Sequence, residues 1–279
     1  MKLPPHISYS QYATYVDCGR NWYLSKIRQA EQVQTWYLPI GSAVHSMVEH
    51  KLKTGKDPVA EDFFYPLTSA QMRIEGNLSK WLAGGSKKNG FITGDKALQR
   101  VKDCFERALE FLEDIDVWEV EYDASGGLPG LSVKVSAFVD IIGEHKKHGP
   151  TILDWKTGSK KPANNFQLET YAALLADTKL AQQELRGGPF KGLWAMLAPG
   201  AAVARPIDLS AVDPREIGAK YQKVRTAMEA MQIQAKEQDG KKNFMCKMCF
   251  NHPNCLAYSG PLSARAIYYD RSRHDQPPY

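Results

Sequence analysis

No run of apolar residues in this chain approaches the roughly 18 that a membrane-crossing helix needs, so nothing in it reads as a bilayer span. The opening MKLPPHISYSQ lacks the apolar stretch of a secretory signal, and the expectation is therefore a cytoplasmic protein. Cysteine is scarce: there are five, an odd number, which argues against a disulfide framework. An excess of one charge is also missing. Lys and Arg number 36 against 31 Asp and Glu, giving +5 and a pI near 8.8, which permits nucleic acid as a partner without requiring it. No internal repeat is visible, and no G-x-x-x-x-G-K-[ST] phosphate loop, so the chain carries no NTP-driven motor of that type. What remains, over 279 residues, is a 43% apolar and 24% charged composition, ample for a buried core in one elaborated domain or two closely joined ones.

The cysteines are unevenly spread. Cys246, Cys249 and Cys255 form C-x2-C-x5-C in CKMCFNHPNC, a spacing that lets thiolates converge on one metal centre. Cys104 falls in VKDCFERALEFLEDI beside Val101, Phe105 and Ala108, a small soft residue on an apolar helix face. Cys18, in YVDCGRNWYL, precedes a glycine and is the better fourth ligand. Four thiolates suit zinc or an iron–sulfur cluster. A zinc clip using Cys18 or His252 stays open, although zinc ribbons usually carry two C-x2-C halves and this chain has one.

The periodicity divides the chain. Residues 8–30 predict an aromatic-rich helix capped by Ser8, and a second helix follows Gly41 with Val44, Met47, Val48 and Leu52 on one face and Gly55 as its stop. Residues 57–116 read as helices and loops, with AGGSKKNG at 83–90 a surface loop. From Asp116 the period turns to 2. VWEVEY, LSVKVSAFVDII and TILDWKT read as strands, the last two joined by EHKKHGP as a hairpin. A helix over roughly 163–177, the strands FKGLWAMLA and AAVARPIDL, and a helix from Pro214 lead to the cysteine triplet. The expected units are 1–115, a helical part; 116–240, a mixed α/β core; 241–258, the cysteine cluster; and a tail, 259–279, together expected to form one compact unit.

Asp154 and Lys156 are two apart on a strand and share a face. If the hairpin pairs as expected, Asp140 meets Asp154 at one end, and two converging carboxylates need a cation between them, for which Mg²⁺ or Mn²⁺ is the natural occupant. Lys156 then sets a positive charge where a phosphate gains negative charge or a water loses its proton. Taken alone, D-x-K is an ordinary strand end. Gln167 and Tyr171, and His45 and Glu49, are each i, i+4 pairs on a helix. In LSVKVSAFVDII strict alternation would put Val133, Val135, Ala137, Val139 and Ile141 on the face opposite Asp140.

In this order, SYSQYATYVDCGRNWYL, GSAVHSMVE, AFVDII, ILDWKTG with QLETY, and the terminal C-x2-C-x5-C resemble the RecB-type branch of the PD-(D/E)XK nuclease superfamily, over residues 8 to 255. The resemblance implies a restriction-endonuclease-like mixed sheet flanked by helices, and a divalent-metal DNA nuclease, an exonuclease on ends or single strands in recombination, repair or phage DNA processing. It implies a 4Fe–4S cluster on Cys18, Cys246, Cys249 and Cys255, and Mg²⁺ or Mn²⁺ on His45, Asp140, Asp154 and the Trp155 carbonyl. Lys156 would orient or activate the attacking water, Gln167 and Tyr171 would support the site or touch the DNA strand, and Glu49 matches a less constant position. DNA is the implied partner, with a homo-oligomer or a recombination protein as further expectations. Lys87–Lys88, Lys160–Lys161 and Lys241–Lys242 read singly as solvated surface, with the second pair, just past the acidic strand, the candidate phosphate contact. Trp22, Tyr23, Trp36 and Tyr37 read mainly as core, with base stacking the alternative. A binding module with a structural acidic site is the competing function.

Overall fold

The computed structural model describes residues 3–30, 36–75, 84–86, 90–92, 94–176, 178, 180, 191–201, 205–233, 249 and 255. Strand β1 (His6–Ser8) runs into α1 (Tyr9–Asp17), whose first turn is capped by the Ser8 hydroxyl accepting from Gln11 N–H. The single helix expected over 8–30 is in fact broken at Cys18. That residue is extended (φ −160°, ψ 105°): its N–H closes α1 on the Thr14 carbonyl, and its thiol accepts from Asn21 N–H at 3.4 Å to cap α2 (Gly19–Trp22), which continues into a π-helical turn, Tyr23–Ile27. Helix α3 (Tyr37–Thr54) starts four residues before Gly41 and stops at Gly55, whose φ of +72° is the left-handed cap expected of it.

Helix α4 (Ala60–Glu75) is followed by strands β2 (Gly84–Ser86) and β3 (Gly90–Ile92), antiparallel to each other, so the arms of the loop expected at 83–90 form a hairpin. Helix α5 (Gly94–Leu112) leads into β4 (Ile115–Asp123). The segment read as one long strand is two: β5 (Lys134–Ser136) pairs parallel with β1, and β6 (Phe138–His145) enters the main sheet. There it forms the expected hairpin with β7 (Gly149–Lys156). Helix α6 (Phe166–Leu175) is shorter than expected, β8 (Lys191–Met196) follows, and among the described residues of AAVARPIDL Ile207–Asp208 form β9. Helix α7 (Pro214–Glu229) begins with Asp213 accepting from Arg215 N–H at 2.8 Å and Pro214 in its first turn.

The main sheet is mixed, in the order β4-β6-β7-β8-β9, with β7 and β8 parallel and the other neighbours antiparallel. Both of its faces are covered, which explains why ILDW and GLWAM are apolar without alternation. Ile152, Trp194 and Met196 pack on one side with α6 and α7 residues Leu168, Leu175, Ile217 and Tyr221. Leu153, Trp155, Leu193 and Ala195 pack on the other with α3 and α5 residues Val44, Met47, Val101 and Phe105. Cys104 is fully buried in that second core, and burial pushes its thiol up to about 11. Trp22 and Trp36 are core residues too. Among the described residues no helix is long and apolar enough to cross a membrane.

The expected alternation along β6 fails at one point. Val139 packs in the first core and Ile141 in the second, although they are two apart. Opposite this point, Glu121 of β4 has φ +51°, in the left-handed region that a non-glycine strand residue enters only at a cost, and the same face change separates Val120 from Tyr122. The strand pair switches faces at Glu121 and Asp140.

Candidate active site

Asp140 and Asp154 face each other because β6 and β7 pair with Ile141 opposite Leu153, one step away. Both are almost wholly buried. Asp140 Oδ2 accepts the Trp155 backbone N–H at 2.6 Å, which fixes its carboxylate across the neighbouring strand. Its other oxygen, Oδ1, lies 3.2 Å from His45 Nδ1, and the same nitrogen is 3.4 Å from Glu121 Oε1. Helix α3 delivers His45 from one face of the sheet, while α6 delivers Gln167 and Tyr171 from the other.

Around Asp154 the side chains close a ring. Tyr171 O–H donates to Asp154 Oδ1 at 3.3 Å, and Gln167 Nε2 donates to Tyr171 OH at 2.7 Å. Lys156 Nζ donates to Gln167 Oε1 at 3.2 Å and pairs with Asp154 Oδ2. The ring uses both ends of the Gln167 amide, so its orientation is set by its neighbours. Lys156 also lies 5.0 Å from the centre of the Trp194 ring, a cation–π contact that limits where the ammonium can go. Just beyond, Arg100 Nη2 donates to the Thr157 carbonyl at 3.0 Å and holds the chain as it leaves β7.

The electrostatics follow from crowding acids in a buried place. Burial and the charge of Asp140 raise the pKa of Asp154, against the pull of Lys156. Burial and the charge of Asp154 raise that of Tyr171, which stays a hydroxyl donor. Burial alone would lower the pKa of His45, but hydrogen bonds to Asp140 and Glu121 outweigh it and push it up to about 10.

The donor set fits a hard divalent cation. Ligand atoms of His45, Glu121 and Asp140 lie within 4.8 Å of one another, one nitrogen with carboxylate oxygens. Asp154 Oδ2 is buried and, its ion pair with Lys156 apart, accepts no hydrogen bond among the described residues. Glu121 escaped the sequence reading. VWEVEY alternates like any half-exposed strand, and the positive φ that turns Glu121 toward His45 leaves no mark in the sequence. Glu49 stands one turn along α3 from His45 and shares a cleft of about 470 Å³ with His45 and Glu121, but its carboxylate pairs with Lys53 at 2.6 Å. Lys160 and Lys161 are exposed after β7. Lys87–Lys88 and Lys241–Lys242 lie outside the described residues.

At the other end of α1, Asn21 touches two cysteines distant in sequence. Its N–H donates to Cys18 Sγ, and its Oδ1 accepts from Cys249 Sγ at 3.6 Å. Among the described residues Cys18, Cys104, Cys249 and Cys255 form no disulfide with one another, while Cys246 lies outside the described residues. Asn21 thus places Cys18 and Cys249, far apart in sequence, beside one side chain.

Comparison with known proteins gives a family match, the PD-(D/E)XK nuclease superfamily, over residues 6–255. Among solved structures, a protein from Eubacterium rectale described as "Putative exonuclease" superposes with a TM-score of 0.46 at 14% identity, over 93% of this chain and 91% of that one. A protein described as SSO0001 superposes with a TM-score of 0.33 at 12% identity, over 90% and 98%. No curated protein matches.

Proposed function

The chain belongs to the PD-(D/E)XK nuclease superfamily, whose members act on nucleic acid with divalent metals, and from that premise we propose that it is a metal-dependent deoxyribonuclease that works as an exonuclease on DNA ends or single strands. The observation that carries this reading is the convergence of His45, Glu121 and Asp140, with Asp154 across the β6–β7 hairpin from Asp140 and tied to Lys156. In this proposal His45, Asp140, Asp154 and Glu121 hold Mg²⁺ or Mn²⁺, with the Trp155 carbonyl as a further ligand. Such an ion supplies Lewis acidity at the scissile phosphate and a more acidic water. Glu49, engaged with Lys53, stays at the rim.

The chain's own residues do the rest. Lys156 offers its ammonium to the attacking water and to the phosphate oxygens as they gain charge. Gln167 holds that ammonium from one side and Trp194 from another, so little reorganisation is needed as charge develops. Tyr171 keeps Asp154 oriented by donating to it. Asp140 is kept in place by the Trp155 N–H, and Lys160 and Lys161 draw the phosphate backbone to the end of β7. The four cysteines Cys18, Cys246, Cys249 and Cys255 hold a 4Fe–4S cluster that clips the C-terminal segment to the start of α2. The regions 1–115, 116–240 and 241–258 then act as one unit around the sheet, in DNA recombination, repair or phage DNA processing, alone, as a homo-oligomer or beside a recombination protein.

The test is incubation of the purified protein with end-labelled linear DNA and with the same DNA as a closed circle. Loss of label from linear DNA in Mg²⁺ or Mn²⁺, none in EDTA, and an intact circle is the expected result. Degradation of the circle at an equal rate would refute the exonuclease, and an inert protein in both metals would refute the nuclease.

A further inference from the structure

A cleft of about 690 Å³ lies between α1 and α7, lined by Tyr12, Tyr15 and Val16 from the first and by Lys220, Lys223 and Val224 from the second. It adjoins the candidate active site through one residue. Phe166 opens α6 immediately before Gln167, and its ring meets those of Tyr9 at 6.3 Å and Tyr12 at 4.6 Å. Lys220 Nζ lies 5.3 Å from the centre of the same ring. The cleft therefore starts where the Lys156–Gln167–Tyr171–Asp154 ring ends and runs toward Cys18.

Its two walls repeat in step. Tyr9, Tyr12 and Tyr15 are three apart on α1, a rise of about 4.5 Å per step along the helix axis; Tyr12 packs on Phe166 and Tyr221, and Tyr15 packs edge-on to Trp22 with its hydroxyl donating to the Gln232 carbonyl. Lys220 and Lys223 are three apart on α7, and both are exposed. Among the described residues neither lysine forms an ion pair, unlike Lys53, Lys102 and Lys191, which each meet a carboxylate. Asp17, beside Cys18, is the carboxylate on the cleft's lining and stands at its far end. Half-buried aromatic rings opposite unpaired lysines are the chemistry of a track for unpaired nucleotides, because bases stack on the rings while phosphates meet the ammonium groups. A duplex would gain the phosphate contacts alone, since its bases are already stacked.

We propose that the α1–α7 cleft binds single-stranded DNA, with bases on Tyr12 and Tyr15 and phosphates on Lys220 and Lys223, and feeds the strand to the site at Asp154 and Lys156. This rests on reading that site as a nuclease. The cleft makes the substrate class more definite: an unpaired strand several nucleotides long, engaged on the Cys18 side of the reacting phosphate.

The test uses the full chain with Lys220→Ala and Lys223→Ala combined, and separately Tyr15→Leu, each checked for an unchanged melting profile. Binding of a fluorescent oligothymidylate is followed by anisotropy in EDTA, where no cleavage intervenes. Loss of two phosphate contacts should reduce the slope of log affinity against log salt by about 1.4 and weaken binding roughly ten-fold or more at 0.1 M salt. Tyr15→Leu should weaken it roughly five-fold or more with little change of slope. Blunt duplex binding should change less than about two-fold in both. Hydrolysis of bis(4-nitrophenyl) phosphate in Mn²⁺, a diester too short to reach the cleft, should match wild type. Unchanged oligothymidylate binding, or an equal loss on duplex, would overturn the single-strand track. Loss of small-diester hydrolysis in the lysine variant would overturn it too, by showing that these residues act through the site. Wild-type protein that binds through the cleft yet hydrolyses neither diester nor DNA would sink the nuclease reading and leave the cleft assignment standing.

Discussion

Lys156 stands in a ring of four side chains and has one clear task in it. It is tied to Asp154, Gln167 and Trp194, but its ammonium holds no place in the donor set formed by His45, Glu121 and Asp140. Lys156→Ala should therefore leave Mn²⁺ and DNA binding close to wild type while turnover falls roughly 10²-fold or more, the scale of one lost electrostatic stabiliser. Lys156→Arg should not restore the rate, since a planar fork cannot reproduce a compact ammonium held against Trp194. Cleavage assays at saturating metal, with calorimetric metal titrations, check both; wild-type cleavage by the alanine variant would remove Lys156 from the mechanism. Glu121 makes a different prediction. Its carboxylate stands in the donor set, with Oε1 3.4 Å from His45 Nδ1, so Glu121→Gln should weaken Mn²⁺ binding roughly ten-fold or more, whereas Glu49→Gln, at a residue paired with Lys53, should change it little. Equal effects of the two in the same titration would show that the cation sits nearer the rim. The two acids and the lysine were legible because strand spacing alone puts Asp154 and Lys156 on one face and the hairpin brings Asp140 across. Glu121 was not, because its role depends on a backbone conformation that residue type does not announce.

At the level of elements, what holds the site is the close fit of helices on the two faces of the sheet. Helix α7 lies against the turn before β5, where a Cβ at Gly218 would come 2.1 Å from the Pro129 carbonyl oxygen. In an exposed helix Gly→Ala adds about 1 kcal/mol of stability. At residue 218 the neighbour is backbone and cannot swing away, so Gly218→Ala should destabilise by roughly 2 kcal/mol or more. A urea unfolding midpoint equal to or above wild type would contradict that packing. The same scale explains which elements could be read in advance. Ser8, Gly55 and Pro214 carry cap chemistry and marked their helix ends correctly. The break at Cys18 was hidden, since a cysteine that caps one helix and ends another looks like a residue within a single helix. The switch from β5 to β6 was hidden too, because the apolar period runs on through Ala137 although the two strands join different sheets.

Across the whole molecule, the contact of Asn21 with both Cys18 and Cys249 ties the start of the chain to its C-terminal segment. Cys18→Ser should retain the α2 cap, because serine is a good N-cap, but lose iron and sulfide and lower the melting temperature. Cys104→Ser should keep wild-type iron, because that thiol is sealed in the α3–α5 core. Metal and sulfide analysis of anaerobically purified protein checks the pair, and stoichiometric zinc without sulfide would replace the cluster with a zinc clip. The measurement closest to the centre of the account is cleavage of labelled linear DNA across a Mn²⁺ titration by wild type and by Asp154→Ala. Wild type should be inactive without the ion and saturate with it. Asp154→Ala, having lost the acid that joins Lys156 to the metal donors, should stay inactive throughout the range. Cleavage by Asp154→Ala with the wild-type metal dependence would contradict it.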